Sequence, residues 1–306
     1  MSVINTPLRY PGGKQKIAPF ITEILETNNI CDCNYIEPYT GGAGVAINLL
    51  LSKKVRSIHL NDKSISIYSF WKTLLENTEW LCKKILTTPL NIEEWKKQRN
   101  IFRNTEDHCI EDIGFATFYL NRCNRSGILN GGVIGGLEQN GNWKMDARFS
   151  RKNLILRIEA IANFKKKIKI TKYDAEVLFS KIYKNSQKNF IYCDPPYLSK
   201  GDKLYLNYYT QDDHKRISKT IQSIKKDYWV VSYDFNDYIS NLYRKRKKII
   251  YNLQYNASTA YLGQELFIFS DKLNIPNKSI IHQINLGIKN TFEIEKRQVV
   301  PYTKKK

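Results

Sequence analysis

The amino-acid sequence predicts an α/β fold built on a doubly wound, mainly parallel sheet. Three observations carry this. Strand-like and helix-like segments alternate near both ends of the chain, a glycine cluster marks one strand-to-helix junction, and another strand stops at an acid followed by two prolines. Such alternation lays helices on both faces of a parallel sheet.

The elements follow in order. LRYPGGKQKIAPFI opens with a Pro-Gly-Gly turn, and Lys14 begins a helix. Residues 17–26, IAPFITEILE, have the apolar spacing of an amphipathic helix. NYIEPY is a short strand running into TGGAG, and VAINLLL starts the next helix. VRSIHLND is a strand with a polar end, followed by helical ISIYSFWKTLLE. Further on, IKITKYD, NFIYCD and DYWVVSYD read as strands, with helical DDHKRISKTIQSIKK between the last two. KKIIYNLQY and QELFIFS then come close together, which predicts one antiparallel strand at the sheet edge.

Residues 76–166 break the alternation and read as an insertion. IEEWKKQRNIF and DIGFATFYLNR are helical, and the irregular run NRSGILNGGVIGGLEQNGNWKMDARFS follows. A run that long is either functional or disordered. Aromatic and basic residues interleaved in it or just before it (Arg122, Arg125, Trp143, Lys144, Arg148) favour function. The predicted organisation is an α/β domain of residues 1–75 and 167–274, the insert 76–166, and a basic tail 275–306.

The formal charge is +20 over 306 residues. A field of that sign attracts polyanions, nucleic acid first. Abundant Lys, Asn, Ile and Tyr match A/T-rich coding DNA, which discounts the charge somewhat. Six cysteines lack C-x-x-C spacing, so no metal site is expected, and no apolar run approaches a membrane span. A cytoplasmic, reduced protein without a membrane partner is expected.

Two motifs carry chemistry. In YIEPYTGGAG a strand ends, glycines permit a tight turn, and a helix starts, an arrangement that binds ligands outside the carboxyl end of a sheet. Asp62 ends the next strand, where an acid would accept ribose hydroxyls. These features alone serve NAD, FAD or S-adenosylmethionine equally. The second motif is Asp194-Pro195-Pro196-Tyr197. Proline holds the preceding residue extended, and a pair of prolines stiffens the loop. The Asp194 carboxylate and the Pro195 carbonyl become two fixed acceptors beside an aromatic face, which suits a planar exocyclic amine. Accepting both amine hydrogens lets nitrogen pyramidalise towards an electrophilic methyl.

With RYPGGK, IEPYTGGAG and DPPY in that order, and an insert between the last two, the chain resembles the Dam-type (D12 class) adenine-specific DNA N6-methyltransferases over nearly its whole length. The resemblance implies a seven-stranded, Rossmann-like S-adenosylmethionine-dependent methyltransferase sheet with an inserted, mainly helical and loop target-recognition domain. It implies S-adenosyl-L-methionine as cofactor and double-stranded DNA as partner, with no obligate protein partner inferred. Tyr10, Lys14, Glu37, Gly41, Gly42, Gly44, Asp62, Asp174 and Asp194 would surround the cofactor. Asp194, Pro195, Pro196 and Tyr197 would hold a flipped-out adenine. The insert begins with a family-like Asn121-Arg122 and then departs from the best-known members, so their target sequence does not carry over. Asn121, Arg122, Arg125, Lys144 and Arg148 are the expected DNA contacts.

Three rivals remain at this point. The same chemistry would serve cytosine N4, adenine in RNA, or a glutamine side chain, although the glutamine-type motif usually carries Asn where Asp194 stands. A catalytically silent nucleic-acid-binding relative would bind cofactor without transferring methyl. A nicotinamide dehydrogenase would leave DPPY and PGGK without a role.

Overall fold

The computed structural model describes residues 6–9, 14–182, 188–198, 209–256, 260–276 and 293–294. Eight strands among them form one sheet: β1 (Asn34–Glu37), β2 (Ser57–Asn61), β3 (Ile168–Thr171), β4 (Asn189–Cys193), β5 (Tyr228–Asp234), β6 (Lys247–Asn256), β7 (Ala260–Phe269) and the two-residue β8 (Glu293–Ile294). Their order is β3-β2-β1-β4-β5-β7-β6-β8. From β3 to β5 every neighbour is parallel, and β7 is antiparallel to both β5 and β6. The antiparallel strand predicted at the edge therefore lies inside it, with β6 and the two-residue β8 beyond. The physical reason is the order of arrival. β6 leaves a one-strand gap beside β5, and the hairpin return brings β7 back into that gap, so β7 gains ladder partners on both sides.

The chain order reverses between β1 and β4, which opens a crevice at their carboxyl ends. Each sheet face is covered. Helices α1 (Ala18–Thr27), α2 (Gly44–Leu51) and α3 (Ile65–Glu76) pack on one face, with Phe20, Ile47, Phe70 and Trp71 fully buried. Helices α8 (Ala175–Ile182), α9 (Gln211–Ser223) and α10 (Asp237–Leu242) cover the other, through Phe179, Ile217, Ile221 and Ile239. The N-terminus of α9 is fixed by a capping box between Thr210 and Asp213.

The predicted insert contributes α4 (Thr78–Thr87), α5 (Ile92–Arg103), α6 (Ile110–Cys123) and α7 (Arg151–Ala162). These helices share the core of the first face, and Phe70 of α3 stacks on Phe118 of α6 at 5.9 Å. Gly114 makes the approach possible, because a Cβ there would lie 2.5 Å from Thr73 Oγ1 and 2.7 Å from the Ser69 carbonyl. The irregular run after α6 is pinned by the buried side chains Val133, Met145 and Phe149. Gln139 crosses it, donating to the carbonyls of Ile134 and Gly136 and accepting from the Met145 amide. Most of the predicted basic tail lies outside the described residues.

Candidate active site

Period-two alternation builds the site. On the face covered by α1 to α3, β1 presents Tyr35 then Glu37, β4 presents Phe190, Tyr192 and then Asp194, and β5 presents Val230 then Ser232. Each row starts apolar and turns polar towards the carboxyl end of its strand. β7 runs the other way, so its row reads Glu265, Phe267, Phe269, and Glu265 sits opposite Asp234 at the same end. Four polar side chains from four strands thus line one rim of the crevice.

The glycine loop forms one wall. Gly41 and Ala43 are left-handed, with φ of 44° and 49°. The Gly41 amide donates to Asp62 Oδ2 at 2.9 Å, and its carbonyl accepts from Trp71 Nε1 at 3.0 Å. Asp62 Oδ1 also accepts the Ser64 amide at 3.0 Å. Burial raises the Asp62 pKa to about 6 against the pull of those two amides. Glu37 is buried beneath the loop. Its Oε1 accepts the Ala46 amide in the first turn of α2 at 3.1 Å and the Tyr35 hydroxyl at 3.2 Å. Loss of water pushes its pKa up to about 8. Glu37 therefore fixes helix and loop from below. Gly42 is buried in the loop, and Gly44 starts α2 directly under Gln15, whose Cβ would lie 3.1 Å from an added Cβ. Asp174 follows β3, accepts the Glu176 amide at 3.0 Å, and pairs with Lys63 at 3.1 Å.

The other wall is the proline motif. Cys193 ends β4, and the chain leaves the sheet with Pro195 and Tyr197 buried. Asp194 Oδ1 accepts Ser232 Oγ at 2.8 Å and lies 3.3 Å from the Tyr197 hydroxyl. Lys14 enters this wall from the N-terminal turn. Its ammonium lies 3.0 Å from Glu265 Oε2 and 3.6 Å from Asp194 Oδ1, donates to the Tyr197 hydroxyl, and sits 4.8 Å from the Tyr197 ring centre. Burial alone would lower the lysine pKa, but Asp194 and Glu265 outweigh it and hold Lys14 protonated above its usual range. Both carboxylates stay above theirs, since burial penalises each and they share a single ammonium.

The structure thus brings Lys14, Asp194 and Tyr197 together, with Glu37, Gly41, Gly42, Gly44, Asp62 and Asp174 along the same carboxyl-terminal side of the sheet. Tyr10 lies outside the described residues. Glu265, Ser232 and Tyr192, which shares a 2.7 Å hydrogen bond with Ser232, were not singled out from sequence. The available signal was an acid at an apolar-face position of a strand, Glu265 two residues before Phe267. Asn61 was also missed. Fully buried, it donates to the carbonyls of Pro38 and Tyr173 and accepts Thr171 Oγ1, tying together the loops after β1, β2 and β3.

Two expected DNA contacts require correction. Asn121 and Arg122 are buried, and their polar groups bind the chain's own backbone. Asn121 accepts the Arg9 amide at 2.7 Å and donates to the carbonyls of Arg9 at 2.6 Å and Gly127 at 2.9 Å. Arg122 donates to the Pro7 carbonyl through Nε at 2.7 Å and again through Nη2. Both lie in the last turn of α6, where every residue from Ile113 to Cys123 is buried. Arg125, Lys144 and Arg148 are exposed, as is Trp143 at 73%.

Comparison with known proteins decides the family. The D12 class N6 adenine-specific DNA methyltransferase family matches residues 10–258. The chain belongs to that family. It is similar to the Type II methyltransferase M.MjaIII of Methanocaldococcus jannaschii, at 25% identity over 72% of this chain and 80% of the relative. Among solved structures it is similar to the rRNA methyltransferase aviRa from Streptomyces viridochromogenes, with 10% identity, a TM-score of 0.35, and coverage of 86% of this chain and 87% of that one. Strands β1 to β7 make the expected seven-stranded, doubly wound mixed sheet, and the two-residue β8 adds an eighth strand at its edge.

Proposed function

We propose that this D12 class methyltransferase transfers the methyl of S-adenosylmethionine to the exocyclic amine of an adenine flipped out of duplex DNA. One observation supports this above the others: Asp194 is held by Ser232 at the tip of β4, across the switch-point crevice from the glycine loop. The donor set fits the cofactor. Asp62 and Asp174 close neighbouring strands with carboxylates suited to adenosine hydroxyls and amines, and the left-handed Gly41 lets backbone approach closely. When bound, the cofactor supplies a methyl on a good sulfonium leaving group.

The chain's own residues do the rest. Asp194 and the Pro195 carbonyl accept the amine hydrogens, which directs the nitrogen lone pair. Tyr197 offers its ring to the base, and base flipping is what brings an adenine within reach of a recessed acid. Asp194 acts by positioning and electrostatics: the amine nitrogen bonds the methyl as the carbon–sulfur bond breaks to a neutral thioether, the surplus amine proton passes to water, and no covalent intermediate with the protein is formed. Arg125, Lys144 and Arg148 meet the DNA from the exposed insert, in keeping with the net charge of +20.

The test is Asp194→Ala assayed on unmethylated genomic DNA, duplex oligonucleotides and RNA with labelled S-adenosylmethionine. Transfer should occur on DNA only with wild type and should vanish in the variant, while the cofactor still binds. Near-normal transfer by the variant would sink the mechanism, and transfer to RNA alone would sink the substrate.

A further inference from the structure

Glu265 is fully buried on the antiparallel strand β7. It belongs to neither the glycine loop nor the proline motif, yet it touches both Lys14 of the N-terminal turn and Tyr197 of the proline motif. Its Oε2 accepts Lys14 Nζ at 3.0 Å and the Tyr197 hydroxyl at 3.0 Å, with Oε1 3.2 Å from the same hydroxyl. The Tyr251 hydroxyl on β6, directly across the ladder, reaches it at 3.5 Å. A buried carboxylate is costly unless it is paired and hydrogen-bonded. A chain that retains one here uses it to hold two side chains that themselves touch Asp194.

We infer that Glu265 is a positioning residue for the methyl-transfer site, acting through Lys14 and Tyr197. The inference rests on the proposed function. Two opposed demands explain the geometry. Tyr197 must keep its ring beside Asp194, and its hydroxyl is the handle by which the ring's tilt is fixed. Lys14 arrives from the N-terminal turn and has a flexible four-carbon stem, so it needs a partner to stop its ammonium from settling fully on Asp194. Glu265 supplies both. Its 3.0 Å contact draws the ammonium away from Asp194, which stands at 3.6 Å and keeps acceptor capacity for an incoming amine. β7 can do this because it is antiparallel: its early residues lie at the end where the parallel strands finish.

The experiment uses the full chain with labelled S-adenosylmethionine and genomic DNA free of N6-methyladenine. Glu265→Gln keeps the shape and an acceptor for Tyr197 but removes the charge that holds Lys14. The expected result is a fall in kcat of about 100-fold, the cost of a small misplacement at a reacting centre, with the cofactor KM within about threefold of wild type. Lys14→Met combined with Glu265→Gln removes both charges and avoids a stranded ammonium. That double variant should be no slower than Lys14→Met alone, and Tyr197→Phe with Glu265→Gln should likewise fall short of the product of the single effects.

A second readout does not need turnover. Acylation of Lys14, followed by mass spectrometry on protein shown to be folded by its thermal transition, should be roughly tenfold faster in Glu265→Gln than in wild type. Wild-type protein that methylates no DNA would overturn the proposed function while leaving the acylation result to judge Glu265. Active wild type with Glu265→Gln within twofold of it, multiplicative double variants, or unchanged Lys14 acylation would each overturn the positioning role.

Discussion

Asn121→Ala separates a structural clamp from a DNA contact. The side chain makes three hydrogen bonds, two to Arg9 and one to Gly127, at 2.6 to 2.9 Å. A buried hydrogen bond contributes about 1 kcal/mol net, and the stranded backbone groups add to that. The expected loss is about 3 kcal/mol. For a chain of this size each kcal/mol moves the thermal midpoint by roughly 2 °C, so the midpoint should fall by about 6 °C. Asn121→Asp should be at least as damaging, because its second oxygen would face the Arg9 and Gly127 carbonyls without a hydrogen to offer. Differential scanning calorimetry measures both variants. Below the transition, the salt dependence of DNA binding should match wild type, since every phosphate-binding group is still in place. A midpoint within about 1 °C of wild type, together with weakened DNA binding, would refute the clamp and restore Asn121 to the DNA surface.

Other outcomes follow from the same geometry. Replacing Arg125, Lys144 and Arg148 together by Ala should reduce the slope of log affinity against log salt by about 0.9 for each phosphate left without its cation, or about 3 in all. Fluorescence anisotropy on a mixed-sequence duplex between 50 and 200 mM salt (on the order of the range where such slopes are read) measures this, and an unchanged slope removes all three from the interface. Glu37→Gln should change how stability depends on pH. The folded-state pKa of Glu37 is raised from 4.5 to about 8, so its stabilising contribution is complete below about 4.5 and is lost as pH rises through 8. Glutamine keeps an oxygen for the Ala46 amide and the Tyr35 hydroxyl and never ionises. The variant should match wild type near pH 4.5 and exceed it near pH 9, by no more than about 5 kcal/mol. Parallel midpoint-against-pH curves would show that Glu37 does not titrate in the folded chain.

The parallel half of the sheet was legible because each of its strands is a short apolar run punctuated by its own polar terminator, as in VRSIHLND and NFIYCD. The position of β7 was not. Nothing local distinguishes a hairpin that adds to an edge from one whose return strand slips inside, since both satisfy the same pairing within the hairpin. DPPY and TGGAG were legible because proline and glycine constrain backbone whatever surrounds them. Glu265 was hidden for the opposite reason. An acid in QELFIFS looks like the solvent-facing member of a strand until the sheet direction shows that its row is the one carrying Phe267 and Phe269. Asn121 and Arg122 read as DNA contacts because they form the family-like pair that opens the irregular, basic run. Burial on nearly every side of α6 reversed that, and only the packing of α3, α5 and the N-terminal segment imposes it.

That reversal relocates these two residues rather than idling them. Pro7 and Arg9 are bound by Arg122 and Asn121 at the end of α6, and the Arg9 guanidinium reaches the Asn124 carbonyl at 3.4 Å. Five residues further along the same chain, Lys14 is bound by Glu265 beside Asp194. One short stretch of backbone is therefore held at one end by the helix that opens the exposed, basic loop and at the other by the carboxylates of the candidate active site. Five residues span at most about 18 Å, so the two attachments cannot drift apart independently. The insert and the candidate active site are thus tied through the N-terminal segment as well as by their shared core, and Asn121 anchors that segment at Arg9.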